Sequence, residues 1–215
     1  MKLAIFDLDE TLIAGDSASL WLEFMVQHKL ASAEILLQEQ NLMSAYYQGR
    51  MDMSAYMALT LAPIRYWQPQ DLAPLVDKFV QQDILPIVYP DARDRLHWHQ
   101  AQGHTVVIIS ATGEHLVKPI ARMLGVEHAI GIMLDSCEGV YNGRTRGVYS
   151  YQEGKLTRLQ DWLHQQQLNP ELSYAYSDSL NDLPLLEYAD RPAVVNGDQH
   201  LRLIAQQRGW ELLDW

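Results

Sequence analysis

Three short apolar runs, each breaking into polar residues at its carboxyl end, constrain the fold of this 215-residue chain more than any other feature. Leu3 to Phe6 runs into Asp7-Leu8-Asp9-Glu10-Thr11, and Thr105 to Ile109 into Ser110-Ala111-Thr112-Gly113. Ser173 to Tyr176 runs into Ser177-Asp178-Ser179-Leu180-Asn181-Asp182. Apolar runs this short suit strands covered on both faces, the environment of a parallel sheet. Ala193 to Val195 is a further run of this kind, and Ala129 to Met133 a weaker one. Between them lie helical segments, from Ala92 to Gly103 and from Gly113 to Gly125, each closing on a glycine suited to a C-cap, with two more from Lys155 and Asn181. Strand then helix, repeated, predicts an α/β fold built on a doubly wound parallel sheet.

Residues 17–85 break that rhythm, being rich in Leu, Met, Ala, Gln and Tyr at helical spacing. Helices are expected to begin near Asp16/Ser17, Ser32, Asp52 and Gln70, three of these starts offering a capping side chain. Four short helices with short connections predict a small helical bundle inserted into the sheet domain, which would then comprise residues 1–16 and 86–215. The stretch from Cys137 to Ser150 alternates around Asn142-Gly143, the dipeptide most typical of a tight hairpin turn.

The net charge of −11, with no run of Lys or Arg, excludes nucleic acid and anionic lipid as partners. The same field would repel a phosphorylated metabolite, so a phosphate site would need local positive charge from a divalent metal, a lysine and backbone N–H groups. No uncharged apolar stretch approaches about 20 residues, so no membrane span is expected. Asp7 in the first apolar segment does not suit a secretion signal. A single cysteine, Cys137, leaves no internal disulfide and no thiolate cluster, which points to a reducing cytoplasm. Nothing in the pattern speaks to oligomeric state.

Ligands of open α/β sheets bind at the carboxyl ends of the strands, so the three polar clusters would meet in one pocket if their strands are neighbours. Asp7 and Asp9 are two apart, a spacing that puts both on one face of a strand. One carboxylate can attack phosphorus to form an aspartyl-phosphate, while the other protonates the leaving alkoxide and later deprotonates water. Asp178 brings a further carboxylate, and such a cluster invites Mg²⁺, which prefers oxygen ligands. Ser110, Thr112 and the N–H groups opening the Gly113 helix suit a phosphate, and Lys155 offers a fixed cation. Each also has a plainer reading. Asp7 and Asp9 could form a solvated turn, Ser110 and Thr112 could cap a helix, and Lys155 could lie on the surface. Asn181 and Asp182 could be an N-cap and a first-turn acid.

Taken together, DLDET at Asp7, the strand-ending Ser110, Glu153-Gly154-Lys155 and the Ser177 to Asp182 segment resemble the four motifs of the haloacid dehalogenase superfamily of Mg²⁺-dependent phosphohydrolases, along the whole chain. The helical insertion after the first motif, Tyr141-Asn142-Gly143-Arg144 and Val194-Val195-Asn196-Gly197-Asp198 are similar to the phosphoserine-phosphatase-like branch. The resemblance implies a Rossmann-like core with Asp7 as nucleophile and Asp9 as acid and base. It implies a Mg²⁺ site of Asp7, Asp178 and, through its backbone carbonyl, Asp9. Ser110, Ala111, Thr112, Lys155 and Asn181 would bind phosphate, Asp182 would orient Lys155 or a metal-bound water, and the insertion would close over the substrate as a cap. Dehalogenation is not implied, because the dehalogenating members lack the second aspartate.

In phosphoserine phosphatases an acid nine residues after the nucleophile receives the substrate ammonium, and Asp16 has that offset here. The arginine that grips the substrate carboxylate in those enzymes would fall at or beside Ala58, with no basic residue before Arg65. The pattern therefore implies a small phosphate ester bearing an amine but no carboxylate, such as histidinol phosphate or phosphorylated ethanolamine or choline. Trp21, Tyr46, Tyr47 and Tyr56 would stack on an imidazole or pack the insertion. Alternatives within the family are a phosphoserine phosphatase or a phosphotransferase. A receiver-like signalling domain is the non-enzyme alternative, against which length and the insertion argue. Arg144 and Arg146 are open to either a solvated or a substrate-facing role, while His97 and His99 are expected at the surface or in packing.

Overall fold

A computed structural model describes residues 1–46 and 50–215, with the side chain of Tyr46 outside the description. The carboxyl ends of three central strands carry the polar clusters. β1 (Lys2–Phe6) pairs in parallel with β2 (Thr105–Gly113) on one side and with β6 (Leu172–Ser177) on the other. β3 (His128–Ile132), β7 (Arg191–Val195) and β8 (Glu211–Leu213) complete a six-stranded sheet of order β3-β2-β1-β6-β7-β8. The adjacency on which convergence of the polar clusters depended is thus present.

The reason β1 sits at the centre is its composition, since Leu3, Ala4, Ile5 and Phe6 are all fully buried. Alternate residues serve opposite faces: Leu3 and Ile5 join Val107, Ile109, Ala175 and Val194 in one layer, while Ala4 and Phe6 join Val106, Ile108 and Tyr176 in the other. The first layer packs on α7 (Glu153–Gln165), α8 (Leu183–Tyr188) and α9 (Gln199–Arg208) through Leu159, Leu163, Leu185, Leu186 and Leu201. The second packs on α5 (Pro90–Ala101) and α6 (Glu114–Met123) through Leu96, Leu116, Val117 and Ile120. Helices on both faces make the sheet doubly wound, as the strand and helix pattern predicts. Each fully buried Leu, Ile or Phe contributes about 1.5–3 kcal/mol, so this double layer is the main source of stability.

Between β1 and α5 come α1 (Ser17–Gln27), α2 (Glu34–Tyr46), α3 (Met53–Leu61) and α4 (Pro69–Phe79). Asp16 caps α1 by accepting from the Ser19 N–H, and Asp52 caps α3 by accepting from Ser54 and Ala55. Trp21, Phe24 and Phe79 interlock inside this layer, with Trp21 stacked on Phe24 and edge-on to Phe79. Trp21 is therefore a packing residue. His99 is fully buried and bonded to His104 and to the Tyr176 hydroxyl, as one of its two expected settings requires.

One local expectation is corrected. β4 (Leu134–Cys137) and β5 (Val140–Thr145) form the expected hairpin, but the turn is Glu138-Gly139, both at positive φ, and Asn142-Gly143 lies inside β5. The competing force is tertiary: the Tyr141 N–H donates to the Trp67 carbonyl and its own carbonyl accepts from the Tyr66 N–H, so β5 is fixed against the segment after α3. The Asn142 amide then donates to Asp135 at 2.7 Å instead of shaping a turn. α9 and β8 carry no signal that the sequence pattern singled out.

Cys137 is an exposed free thiol. Among the described residues no helix is long and apolar enough to cross a membrane.

Candidate active site

Asp7 is the first residue past β1, and its N–H still donates to the Tyr176 carbonyl at 2.9 Å, so the sheet fixes the direction of its side chain. The chain then turns sharply at Glu10, which adopts φ 55°, and Gly15 at φ 152° leads into α1. A side chain at Gly15 would be strained, which explains a glycine immediately before Asp16.

Lys155 reaches the same point from the first turn of α7. Its ammonium donates to Asp7 Oδ1 at 2.7 Å and to Asp182 Oδ2 at 2.6 Å, with the residue only 2% exposed. Gly154 makes this possible, because a Cβ there would lie 2.0 Å from the Tyr149 carbonyl oxygen. Ser177 Oγ adds a third anchor by donating to Asp182 Oδ2 at 2.7 Å. The two carboxylates keep Lys155 charged despite its burial, raising its pKa above the ordinary lysine range. Burial pushes the Asp7 carboxyl up to about 7, against the pull of Lys155 and with the charges of Asp182 and Asp9 adding to the rise.

Asp9 sits in a different cradle. The Ser17 N–H at the start of α1 donates to Oδ1 at 2.7 Å, while the hydroxyls of Ser110 and Thr112 donate to Oδ2 at 3.0 and 3.1 Å. Burial, then the neighbouring Asp16 charge, raises its carboxyl to about 6, and these donors oppose the rise. A carboxyl poised there exchanges a proton near neutral pH, the property a general acid and base requires.

Asp178 is joined to Asp7 through Thr11. The Thr11 hydroxyl donates to Asp178 Oδ1 at 3.1 Å, accepts from the Asp178 N–H at 3.0 Å and stands 3.5 Å from Asp7 Oδ2. Asp178 is held well above the usual carboxylate range, by burial first and then by the charges of Asp7 and Asp182. The buried Asp7 carboxylate thus raises the pKa of the half-buried Asp178, a repulsion that a divalent cation would relieve, and both offer the oxygens that Mg²⁺ prefers. Among the described residues no group of three His, Cys, Asp or Glu side chains suits a metal. The Asp9 carboxylate is turned to Ser17, Ser110 and Thr112.

Other expected residues are placed less directly. Ala111 and Thr112 line a small cavity of about 20 Å³ together with Asp7, Asp9 and Asp16. Met43, Met51, Met53 and Tyr56 close it from the insertion side. Asn181 does not reach Asp7 or Lys155; its side-chain oxygen accepts from Tyr151 and Gln152 at 3.2 and 3.1 Å. Ala58 is exposed, so it does not mark the cavity wall, and α3 presents Met53 and Tyr56 there instead. Arg65 lies over the Tyr66 ring at 4.8 Å, beside Gly143, and Arg146 Nε donates to the Leu134 carbonyl. Arg144 is exposed on β5. Tyr47, Gly49 and the side chain of Tyr46 lie outside the described residues. A larger hollow of about 710 Å³, lined by Asp94, Arg95, Trp98 and Trp215, contains none of the expected site residues.

Three residues of this constellation escaped the sequence reading. Thr11, in the quoted Asp7 to Thr11 segment, had a signal in its place, since a hydroxyl four residues after a strand-ending acid can fold back on it. Ser17 donates its N–H to Asp9 and its hydroxyl to Thr112 Oγ1 at 3.4 Å, a role that its place as a helix start did not announce. Glu39 on α2 is 5% exposed and accepts from Ser19 at 2.5 Å, but nothing in its Gln-rich surroundings distinguishes it.

A family model described as haloacid dehalogenase-like hydrolase matches residues 4–187. A histidinol-phosphatase of Neisseria meningitidis is 35% identical over 100% of this chain and 99% of its own. A probable phosphatase of Mycobacterium tuberculosis is 33% identical over 99% of this chain and 75% of its own. Among solved structures, a protein of unknown function from Bordetella pertussis superposes with a TM-score of 0.92 at 36% identity, covering 99% of this chain and 98% of that one. A phosphoserine phosphatase solved as a phospho-aspartyl intermediate analogue has a TM-score of 0.70 at 15% identity, over 99% of this chain and 92% of that one, and shows a shared fold.

Proposed function

We propose, since the chain belongs to the haloacid dehalogenase-like hydrolase family and is a phosphatase, that it hydrolyses a small amine-bearing phosphomonoester through an aspartyl-phosphate at Asp7. Family membership also sets aside the receiver-like reading. The observation that carries the mechanism is the pair of unlike carboxyl environments two residues apart: Asp7 bonded to the buried Lys155 ammonium, Asp9 held by three neutral donors.

Asp7 attacks phosphorus and the bond to the leaving oxygen breaks. The Asp9 carboxyl gives its proton to the departing alkoxide, and the resulting carboxylate then takes a proton from water as the water attacks the phospho-aspartate. This releases inorganic phosphate and restores Asp7. Lys155, held by Asp182, contributes fixed positive charge to the phosphoryl oxygens, together with the N–H group of Ala111, whereas the Thr112 N–H donates to Ser110 Oγ at 3.0 Å. Mg²⁺, held by Asp7, Asp178 and the Asp9 carbonyl, would supply the remaining positive charge. Residues 17–85 act as a cap, since a cavity of about 20 Å³ holds little more than a water and must open to admit an ester.

Histidinol phosphate is the leading substrate. It fits Asp16 as receptor for an ammonium and a wall of Met and Tyr56 for an imidazole, and the similar Neisseria protein bears the name histidinol-phosphatase. The test is phosphate release with Mg²⁺ from histidinol phosphate, phosphoethanolamine, phosphocholine and phosphoserine, with Asp7→Asn as blank. Preference for a carboxylate-free amine, with a loss of at least about 10³-fold in Asp7→Asn, is expected. Preference for phosphoserine overturns the substrate, and retained turnover in Asp7→Asn overturns covalent catalysis at this residue.

A further inference from the structure

Behind the half-buried Asp16 stands a buried acid, Glu39. Ser19 on α1 ties the two together: its N–H donates to Asp16 Oδ1 at 2.8 Å and its hydroxyl to Glu39 Oε1 at 2.5 Å. Glu39 precedes Met43 by one turn of α2, so the two share a face, and Met43 is part of the cavity wall that Asp16 also lines. Among the described residues no ion pair joins Asp16 or Glu39 to a basic side chain. A buried carboxylate at Glu39 and a half-buried one at Asp16 are costly to keep charged without a counter-ion. The charge of Glu39 adds to the burial that already holds the Asp16 carboxyl above its usual range.

We infer that Glu39 is a positioning residue for specificity: through Ser19 it sets a second negative charge behind Asp16, so the site selects esters whose organic half is a cation and rejects those carrying a carboxylate. The inference rests on the phosphomonoesterase reading and names what selects its substrate. A ligand ammonium supplies the counter-charge that both acids lack, by charge-assisted hydrogen bonding to Asp16. A ligand carboxylate meets two like charges instead of one, which is discrimination by repulsion. Glu39 itself need not touch the substrate.

The test is Glu39→Gln, which keeps the shape and the acceptor for Ser19 but removes the charge. Steady-state kinetics with Mg²⁺ compare phosphoethanolamine, phosphoserine and p-nitrophenyl phosphate, whose organic half is uncharged. The expected result is a fall of at least about 10-fold in kcat/KM for phosphoethanolamine relative to p-nitrophenyl phosphate, carried by KM, with phosphoserine gaining on phosphoethanolamine. Proportional change on all three esters, or none, overturns the role of Glu39. Ser19→Ala, which cuts the link between the acids, should shift the same ratios in the same direction and serves if Glu39→Gln does not fold. Unchanged ratios there also overturn it. Asp7→Asn separates the two failures: retained turnover there defeats the phosphomonoesterase reading, whereas loss there beside unshifted ratios defeats only the inference.

Discussion

The two ends of the cavity handle buried charge in opposite ways. At the sheet end, Lys155 lies between Asp7 and Asp182 at 2.7 and 2.6 Å, and every partner comes from the carboxyl side of a strand or the first turn of a helix. At the insertion end, Asp16 and Glu39 are linked by Ser19 and have no cation of their own among the described residues. A phosphoryl group is the same in every phosphomonoester, so its receptor can be completed within the protein. The organic half differs between substrates, and an acid pair awaiting a counter-ion discriminates because the ligand must bring it.

Three perturbations would break or sharpen this contrast. The largest effect belongs to Asp9→Asn, which removes the proton donor while leaving Asp7 and Lys155 in place. Turnover of alkyl phosphates should fall by about 10²–10⁴-fold, and that of p-nitrophenyl phosphate, whose leaving group needs little protonation, by much less. Equal losses on both would remove Asp9 from the acid role.

Next comes Lys155→Met. Taking away the ammonium leaves Asp7 and Asp182 buried against each other, and urea unfolding should show a loss of about 3–5 kcal/mol alongside the loss of activity. A stability change under 1 kcal/mol would mean that the sheet end is less dependent on internal pairing than its geometry suggests.

The smallest effect, and the one of opposite sign, is expected at Asp16→Asn, since asparagine caps α1 about as well as aspartate. Burial raises the Asp16 pKa, so its protonated form favours the folded state; this contribution is complete below the pKa of the unfolded chain and is lost as pH rises through the folded value and the buried carboxyl ionises. The variant should therefore melt at or above the wild-type temperature at pH 8 and lose that advantage as pH falls toward 4. A lower melting temperature at pH 8 would show that Asp16 is already compensated, and the contrast between the two ends would collapse.

Much of the sheet end was legible along the chain because its information is local. A fully apolar run reports a strand buried on both faces, and the polar residue that ends it lies at the strand's carboxyl edge, as Asp7 and Ser177 do, whereas β2 runs on past Ser110 to Gly113. Gly154 was legible as part of a motif, yet its reason, the Tyr149 carbonyl 2.0 Å from any Cβ, is visible only in three dimensions. The insertion was legible as helices through its caps, with starts at Ser17, Glu34, Met53 and Pro69 close to those expected. Its inward faces were not, because α3 is apolar nearly all round and offers no phase. The arginine position expected at or beside Ala58 falls on the exposed side of α3, while Met53 and Tyr56 line the cavity.

By itself the sequence determined the class of sheet, the order of its elements, the long helical insertion and the three clusters that meet in the site. These follow from hydrophobic periodicity and turn chemistry, which act over a few residues. Only the tertiary structure decided the turn at Glu138-Gly139, the withdrawal of Asn181 to Tyr151 and Gln152, and the link of Glu39 to Asp16 through Ser19. Each depends on a partner distant in the chain or on another element, such as the strand-like pairing of Tyr66 and Trp67 with Tyr141, and the energy of such a contact is encoded in no local pattern.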